Sequence, residues 1–138
     1  MTSQHREVMI GDNAAYVDAA IAGAAGGRTI NRLVLFGFSQ GVAMAFRAGL
    51  RGARKADTVL ALGGDVPPEL QADTTLVFPK VLLARGTRDE WYTAAKLEAD
   101  EAALEARGAP VDTLTFDGAH EWHGDFATRA AAVLASGR

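Results

Sequence analysis

The sequence predicts an α/β fold in which a mainly parallel sheet of about four strands carries helices on both faces. Four short apolar runs alternate with segments whose apolar residues recur at helical spacing. Strands and helices that alternate along a chain form parallel sheets covered by helices on both sides. Three of the four runs end at a glycine or directly before one, which is typical of a strand that leads into a sharp turn.

The first predicted element is a helix over residues 12–25. Asp12 or Asn13 is suited to cap its N-terminus, and Gly26 and Gly27 end it. Apolar side chains recur along it every three or four residues and should form one stripe. That stripe consists of Tyr16, Val17, Ala20, Ile21 and Ala24.

Residues 32–37 form the first predicted strand, and a helix over residues 40–51 follows it almost directly. The strand is continuously apolar from Leu33 to Phe36, which indicates burial on both faces of a parallel sheet. The helix should end at Gly52. Its predicted inward side chains are Val42, Met44, Ala45, Phe46 and Leu50.

The middle of the chain supplies two more apolar strands, residues 57–62 and 79–85. Each is followed by glycine, at Gly63 and at Gly86. Residues 67–75, which lie between the two strands, are rich in proline and polar side chains and favour a loop or a short helix.

The last third of the chain predicts a helix, a strand and a helix. Residues 93–107 are strongly amphipathic, and residues 111–116 alternate in the manner of a strand near the sheet edge. Residues 124–135 form the final helix. The predicted inward side chains of the two helices are Leu97, Ala103, Leu104, Phe126, Ala130, Val133 and Leu134.

Composition excludes several classes of function. The chain has 138 residues, which favours one domain, and its 49% hydrophobic and 22% charged residues are typical of a soluble globular protein. A net charge of −3 argues against nucleic acid as a partner. The sequence contains no cysteine, no apolar run near the ~20 residues of a membrane span and no signal-peptide pattern. We therefore expect a cytoplasmic protein.

The strongest chemical motif is Gly37-Phe38-Ser39-Gln40-Gly41, between the first strand and its helix. This G-x-S-x-G pattern in a strand–turn–helix context predicts a nucleophile elbow, which exposes the serine hydroxyl above the sheet. The turn also directs the N–H of Gln40 toward a developing oxyanion at the positive end of the helix. The alternative is a tight turn in which Ser39 only caps the helix.

A serine nucleophile requires a base, and the chain has three histidines. His5 precedes the elbow, whereas the base follows the nucleophile in the chain order Ser, Asp or Glu, His. His120 lies four residues past Phe116, in a loop that Gly118 allows to turn sharply. His123 lies nearer the final helix. We favour His120 as the base and interpret His123 as a surface or helix-capping residue.

The base in turn requires an orienting acid. Asp89 lies four residues past Arg85, at the same distance from the end of its strand as His120 from its own. Glu90 and Asp65 are alternatives, while Asp117 is too close to His120 along the chain. We favour Asp89; the other interpretation is a solvated loop carboxylate or a helix cap.

Other motifs give weaker signals. Trp91, Tyr92 and Trp122 lie beside the candidate acid and base, so they either bind an acyl or aryl group or cover the end of the sheet. His120 and His123 lie three residues apart, but no third ligand has a recognisable spacing, and we expect no metal. The glycine-rich phosphate motifs are absent.

These residues resemble those of the phospholipase/carboxylesterase family of α/β-hydrolases, which includes the acyl-protein thioesterases. The resemblance implies a serine carboxylic-ester hydrolase with Ser39 as nucleophile, His120 as general base and then acid, and Asp89 orienting His120. It implies a small-molecule ester substrate and no cofactor. The segments that carry it are 37–44, Gly63-Gly64, Gly86-Thr87-Arg88-Asp89-Glu90 and Gly118-Ala119-His120-Glu121.

The chain departs from that family before the elbow, where only a short segment precedes the first strand. We therefore expect residues 1–138 to form a single α/β-hydrolase-like domain that is incomplete at its N-terminus and lacks the loop for the second oxyanion donor. The edge of strand 33–37 would be open, which favours a homodimer. Two alternatives to an esterase follow: a truncated hydrolase that is inactive alone, and a non-catalytic α/β interaction module.

Overall fold

Four parallel strands form one sheet in the computed structural model, which describes residues 15–136. The strands neighbour one another in their order along the chain. They are β1 (Val34–Phe38), β2 (Thr58–Leu62), β3 (Lys80–Gly86) and β4 (Val111–Phe116). The predicted α/β fold with a parallel sheet of four strands is confirmed.

Helices cover both faces of the sheet, as predicted. Residues 15–25 are helical and are called α1; the capping residues predicted at Asp12 and Asn13 lie outside the described residues. The other helices are α2 (Gln40–Arg51), α3 (Pro68–Ala72), α4 (Ala94–Ala106) and α5 (Gly124–Ser136). Side chains of α2, α3 and α4 share one core with the sheet, and those of α5 share the other. The segment 67–75 thus contains a short helix.

Successive side chains of β2 point to opposite faces of the sheet, so this strand contributes residues to both hydrophobic cores. Val59 and Ala61 belong to the core under α2, α3 and α4, whereas Leu60 and Leu62 belong to the core under α5. All five residues of β2 are buried because the strand lies between β1 and β3 and is covered on both faces. In contrast, β4 at the sheet edge is only partly buried: Asp112 and Thr115 are exposed and Phe116 is buried, so its exposure does not follow the alternation that its sequence predicts.

Two side chains that were predicted to face inward, Met44 (36%) and Leu134 (52%), are exposed. On the predicted stripe of α1, Tyr16 (74%), Ala20 and Ala24 are exposed as well. These predictions were wrong because periodicity identifies an apolar stripe but not the width of the surface that covers it. Met44 lies on the flank of α2 beside β1, where the sheet ends, and lines an apolar groove of about 190 Å³. No neighbouring strand of the described chain covers that flank.

The outer edge of β1 carries unpaired main-chain groups within the described chain. The hydrogen bonds of Leu33 and Ser39 run toward β2. Because the direction of main-chain groups alternates along a strand, those of Val34, Phe36 and Phe38 point away from β2. The Phe36 side chain is 46% exposed. Strand β1 therefore presents an apolar edge, and it extends one residue past Gly37, where the sequence predicted its end.

No helix within residues 15–136 is both long enough and apolar enough to cross a membrane.

Candidate active site

The carboxyl edge of the sheet brings together three side chains that are far apart in the sequence. Ser39 follows β1, Asp89 follows β3 and His120 follows β4. The strands are parallel, so their carboxyl ends meet at one edge of the sheet. The Ser39 Oγ lies 2.8 Å from His120 Nε2, and His120 Nδ1 lies 2.8 Å from Asp89 Oδ2. The three groups form a continuous hydrogen-bonded chain.

Ser39 occupies a strained turn between β1 and α2. Its φ of 56° makes it the single non-glycine residue with positive φ within 15–136. Its N–H donates to the Leu62 carbonyl at 2.8 Å, which anchors the turn to β2. A Cβ on Gly64 would lie 2.7 Å from the Val42 Cβ, so glycine there lets β2 approach the turn closely.

We expect Gly37→Ala to lower the free energy of unfolding by about 3 kcal/mol, the upper end of the usual cost of overpacking. The added Cβ would lie 2.7 Å from the Val42 Cα and would overlap the Gly41 carbonyl. Both neighbours are main-chain atoms of α2, which cannot rotate away. Urea unfolding followed by circular dichroism measures the loss. Gly23→Ala is the control, because its Cβ meets nothing within 4 Å; an equal effect of the two substitutions would contradict the argument.

The His120 imidazole is held between a glycine and two aromatic rings. Its ring centroid lies 5.1 Å from that of Phe38 and 6.5 Å from that of Trp91. A Cβ on Gly63, which has φ +68°, would lie 3.1 Å from His120 Cε1 and 3.3 Å from Asp89 Oδ2. Glycine at position 63 therefore leaves room for the imidazole–carboxylate pair over the end of β2. The His120 side chain remains 21% exposed and faces the cavity.

The carboxylate of Asp89 is almost fully buried, with 1% of its side chain exposed. Burial raises its pKa, but hydrogen bonds from His120 and from the N–H groups of Tyr92 and Trp91 outweigh burial and leave the pKa lowered. Oδ1 accepts from Trp91 at 2.8 Å and from Tyr92 at 2.9 Å, while Oδ2 contacts His120. Asp89 is therefore an anion that is fixed by three partners.

The alternative residues occupy other positions. The His123 ring stacks on Phe116 with centroids 4.5 Å apart, and its Nδ1 accepts from the Asp125 N–H at 3.0 Å near the start of α5. Asp117 pairs with Arg88 at the surface, and Glu90 is exposed. Asp65 lines the cavity, but the carboxylate that contacts His120 is that of Asp89.

A cavity of about 320 Å³ opens above Ser39 and His120. Gln40, the first residue of α2, lies in its wall, and the positive end of the helix dipole is located there. Trp91 is 73% exposed at the rim. Trp122 lies elsewhere, with its ring edge-on to Phe36 at 5.1 Å. The lining consists of Ser39, Gln40, Ala43, Gly63, Gly64, Asp65, Trp91, Tyr92, Lys96 and His120.

No cluster of three or more potential metal ligands occurs within the described part of the chain.

Sequence reasoning missed a buried polar pair beside this cavity. The Tyr92 hydroxyl donates to Asp100 Oδ2 at 2.8 Å, and both residues are nearly inaccessible to solvent. Burial raises the pKa of Asp100, and the nearby Asp65 adds to this, although hydrogen bonds from Tyr92, Val66 and Gln71 oppose it. The signal was present in the sequence: Asp100 lies three residues after Leu97 and four before Leu104, on the buried stripe of α4.

We expect Asp100→Asn to change how stability depends on pH. Because the folded-state pKa of Asp100 is raised above its ordinary 3.8, the native state binds the proton more tightly than the unfolded state. Its contribution to stability is therefore full below pH 3.8 and is lost as the pH rises through the raised value, by about 1.4 kcal/mol for each pKa unit. Urea unfolding at a series of pH values checks this. The prediction would be contradicted if the difference in free energy of unfolding between Asp100→Asn and the original protein were the same at every pH.

Solved structures share this fold. Esterase PE8 matches with a TM-score of 0.75 at 24% identity, over 91% of this chain and 60% of that one. A Bacillus cereus carboxylesterase matches with a TM-score of 0.72 at 19% identity, over 92% of this chain and 61% of that one. Acyl-protein thioesterase 2 of Zea mays matches with a TM-score of 0.64 at 18% identity, over 92% of this chain and 65% of that one. The chain thus spans less than two thirds of the length of each of these structures.

Sequence comparison identifies the family. No curated protein sequence matches the chain. A family model described as phospholipase/carboxylesterase, however, matches residues 2–134, which is nearly the whole chain. The fold agrees with that match, since the chain is similar to α/β-hydrolase structures of esterases and a thioesterase. The protein therefore belongs to the phospholipase/carboxylesterase family.

Proposed function

We propose that the protein is a serine carboxylic-ester hydrolase of the esterase or acyl-thioesterase type, which acts on small esters through an acyl-enzyme. The observation that carries this proposal is the hydrogen-bonded chain from Ser39 through His120 to Asp89, open to a cavity at the carboxyl edge of the sheet. Family membership and the esterase neighbours support the same chemistry.

In this proposal, His120 Nε2 takes the proton of Ser39 Oγ as that oxygen attacks the ester carbonyl. The protonated imidazole is stabilised by the Asp89 carboxylate and then gives the proton to the leaving alkoxide or thiolate. Water subsequently attacks the acyl group on Ser39 and gives a proton to His120, which passes it to Ser39 Oγ as the bond between Oγ and the acyl group breaks and the acid is released. The Gln40 N–H donates to the oxyanion at the N-terminus of α2.

The cavity suggests a small substrate with an apolar part. Its volume of about 320 Å³ lies at the low end of the usual range for ligand sites. Trp91 at the rim, beside His120, presents an apolar surface to an acyl or alcohol group. We assign substrate contact to Trp91 and not to Trp122, whose ring packs against Phe36 and Phe126.

The direct test is turnover of p-nitrophenyl acetate together with labelling by a fluorophosphonate probe. The proposal predicts both activities, with the label on Ser39 after peptide mass spectrometry. Folded protein that neither turns over the ester nor takes the label would support one of the alternatives instead, a chain inactive alone or an interaction module.

The open edge of β1 supports a second proposal, a homodimer in which this edge pairs with the same edge of another copy. Phe36 is the central residue of β1, so a two-fold axis there would place the two Phe36 residues opposite each other and Val34 opposite Phe38. The outward main-chain groups of β1 would then become paired.

We expect Phe36→Lys to weaken this dimer by at least about tenfold, because two ammonium groups would face each other across the axis. Sedimentation equilibrium measures the dissociation constant. Val77→Lys is the matched control, since Val77 is an apolar side chain that is 90% exposed and precedes β3, which does not neighbour β1 in the sheet. Equal affinity of the two variants, or an original protein that stays monomeric at every concentration, would contradict the proposal.

A further inference from the structure

The orientation of Asp89 depends on the turn that joins β3 to α4. Its Oδ1 accepts from the N–H groups of Trp91 and Tyr92, at 2.8 and 2.9 Å. Those two donors fix the carboxylate so that Oδ2 faces His120 at 2.8 Å. A shift of the Tyr92 main chain would therefore move the oxygen that contacts the imidazole.

Tyr92 is held at both of its ends. Its carbonyl accepts from the Arg85 Nε at 2.9 Å, and its hydroxyl donates to Asp100 Oδ2 at 2.8 Å. Arg85 also contacts the Asp89 carbonyl through Nη2 at 3.3 Å. The Tyr92 side chain is 2% exposed, so the hydroxyl has little access to water as a substitute partner.

Asp100 connects Tyr92 to the segment that follows the cavity-lining residues after β2. Its Oδ2 also accepts from the Val66 N–H at 3.2 Å, and its Oδ1 from Gln71 Nε2 at 3.4 Å. Val66 directly follows the cavity-lining residues Gly63, Gly64 and Asp65. The buried Asp100 carboxyl on α4 thus joins the turn that carries Asp89 to the loop that follows β2.

We propose that Tyr92 and Asp100 are positioning residues for Asp89: their buried hydrogen bond sets the turn whose N–H groups aim the carboxylate at His120. The inference rests on the proposed hydrolase function and concerns the acid of that site. Neither side chain contacts His120 or Ser39 in the hydrogen-bonded chain, so both act through Asp89. The charged groups that surround the pair are Asp65, Asp89 and Arg85.

Tyr92→Phe tests the proposal, because it removes one oxygen and keeps the ring and the main-chain N–H. We expect kcat for p-nitrophenyl acetate to fall about tenfold with KM unchanged, the scale of a small misplacement of a catalytic group. We also expect weakening of the far-downfield proton NMR signal from the His120–Asp89 hydrogen bond.

Matched variants separate positioning from stability. Leu104→Val removes packing from the same helix, α4, and should lower the melting temperature without changing kcat or the downfield signal. Asp100→Asn keeps an acceptor oxygen and should retain most of the kcat, whereas Asp100→Leu should lose about as much as Tyr92→Phe. Combining Tyr92→Phe with Asp100→Leu should cause no further loss, since both break one contact.

The two readouts distinguish failure of this inference from failure of the proposed function. If the original protein does not hydrolyse esters, the downfield signal still reports whether Tyr92 and Asp100 position Asp89. The inference is wrong if Tyr92→Phe lowers the melting temperature as Leu104→Val does but leaves both kcat and the signal unchanged.

Discussion

Ser39→Ala is expected to lower kcat for p-nitrophenyl acetate by at least about 10⁴-fold and to abolish fluorophosphonate labelling. The proposed reaction forms its covalent bond at Ser39 Oγ, which lies 2.8 Å from His120 Nε2. No other hydroxyl group belongs to the hydrogen-bonded chain of Ser39, His120 and Asp89, so no other could give its proton to His120 there. Alanine leaves the main chain, the cavity and the Gln40 N–H in place. The residual rate should therefore reflect binding and oxyanion stabilisation alone.

The control for Ser39→Ala is Ser136→Ala. The sequence has three serines, and Ser136 lies at the end of α5, where its hydroxyl donates to the Val133 carbonyl. We expect this variant to keep full activity and labelling. The Ser39→Gly variant should also be inactive but more stable, by about 1 kcal/mol, because glycine relieves the strain of the positive φ. Unchanged turnover by Ser39→Ala would contradict the assignment of the nucleophile.

Asp89→Asn is expected to lower kcat by about 10⁴-fold, the effect known when the acid of a serine–histidine pair becomes an amide. The carboxylate accepts a hydrogen bond from His120 Nδ1–H, which leaves Nε2 unprotonated and able to accept from Ser39. An asparagine amide that donates to Nδ1 would instead place the imidazole proton on Nε2. In that tautomer His120 cannot take the serine proton.

Glu90→Gln is the matched control for Asp89→Asn. Glu90 is the adjacent carboxylate, but it is exposed, whereas Asp89 is buried and contacts His120. We expect its kcat to stay within about twofold of the original protein. Steady-state kinetics at saturating ester measures both variants. A larger loss for Glu90→Gln than for Asp89→Asn would overturn the choice of acid.

Much of the secondary structure followed from local patterns. Helix α2 and strand β4 have the predicted bounds, because Gly52 ends the helix and Pro110 precedes the strand. The G-x-S-x-G context also predicted the turn at Ser39 between the first strand and its helix, since that signal depends on neighbouring residues alone. Exposure of Met44 and Leu134 was not predictable in this way, because it depends on what lies opposite each helix.

The network of Tyr92 and Asp100 shows the same limit. In the sequence, Tyr92 is one of three aromatic residues near the candidate site, and Asp100 is one of many charged residues on an amphipathic helix. Their spacing placed Asp100 on the buried stripe of α4, but the hydroxyl that partners it comes from the preceding turn. A buried carboxyl becomes interpretable only when its donors, Val66 and Gln71 among them, are known.

The sequence by itself determined the order of strands and helices, the elbow at Ser39 and the short set of candidate bases and acids, because these depend on residue types and spacing along the chain. Only the tertiary structure decided that His120 rather than His123 contacts Ser39, and that Asp89 rather than Asp65 contacts His120. It also decided that Trp122 packs on Phe36 away from the cavity. The physical reason is distance: hydrogen bonds act over about 3 Å, while Ser39 and His120 are separated by 81 positions that only the packed parallel sheet brings together.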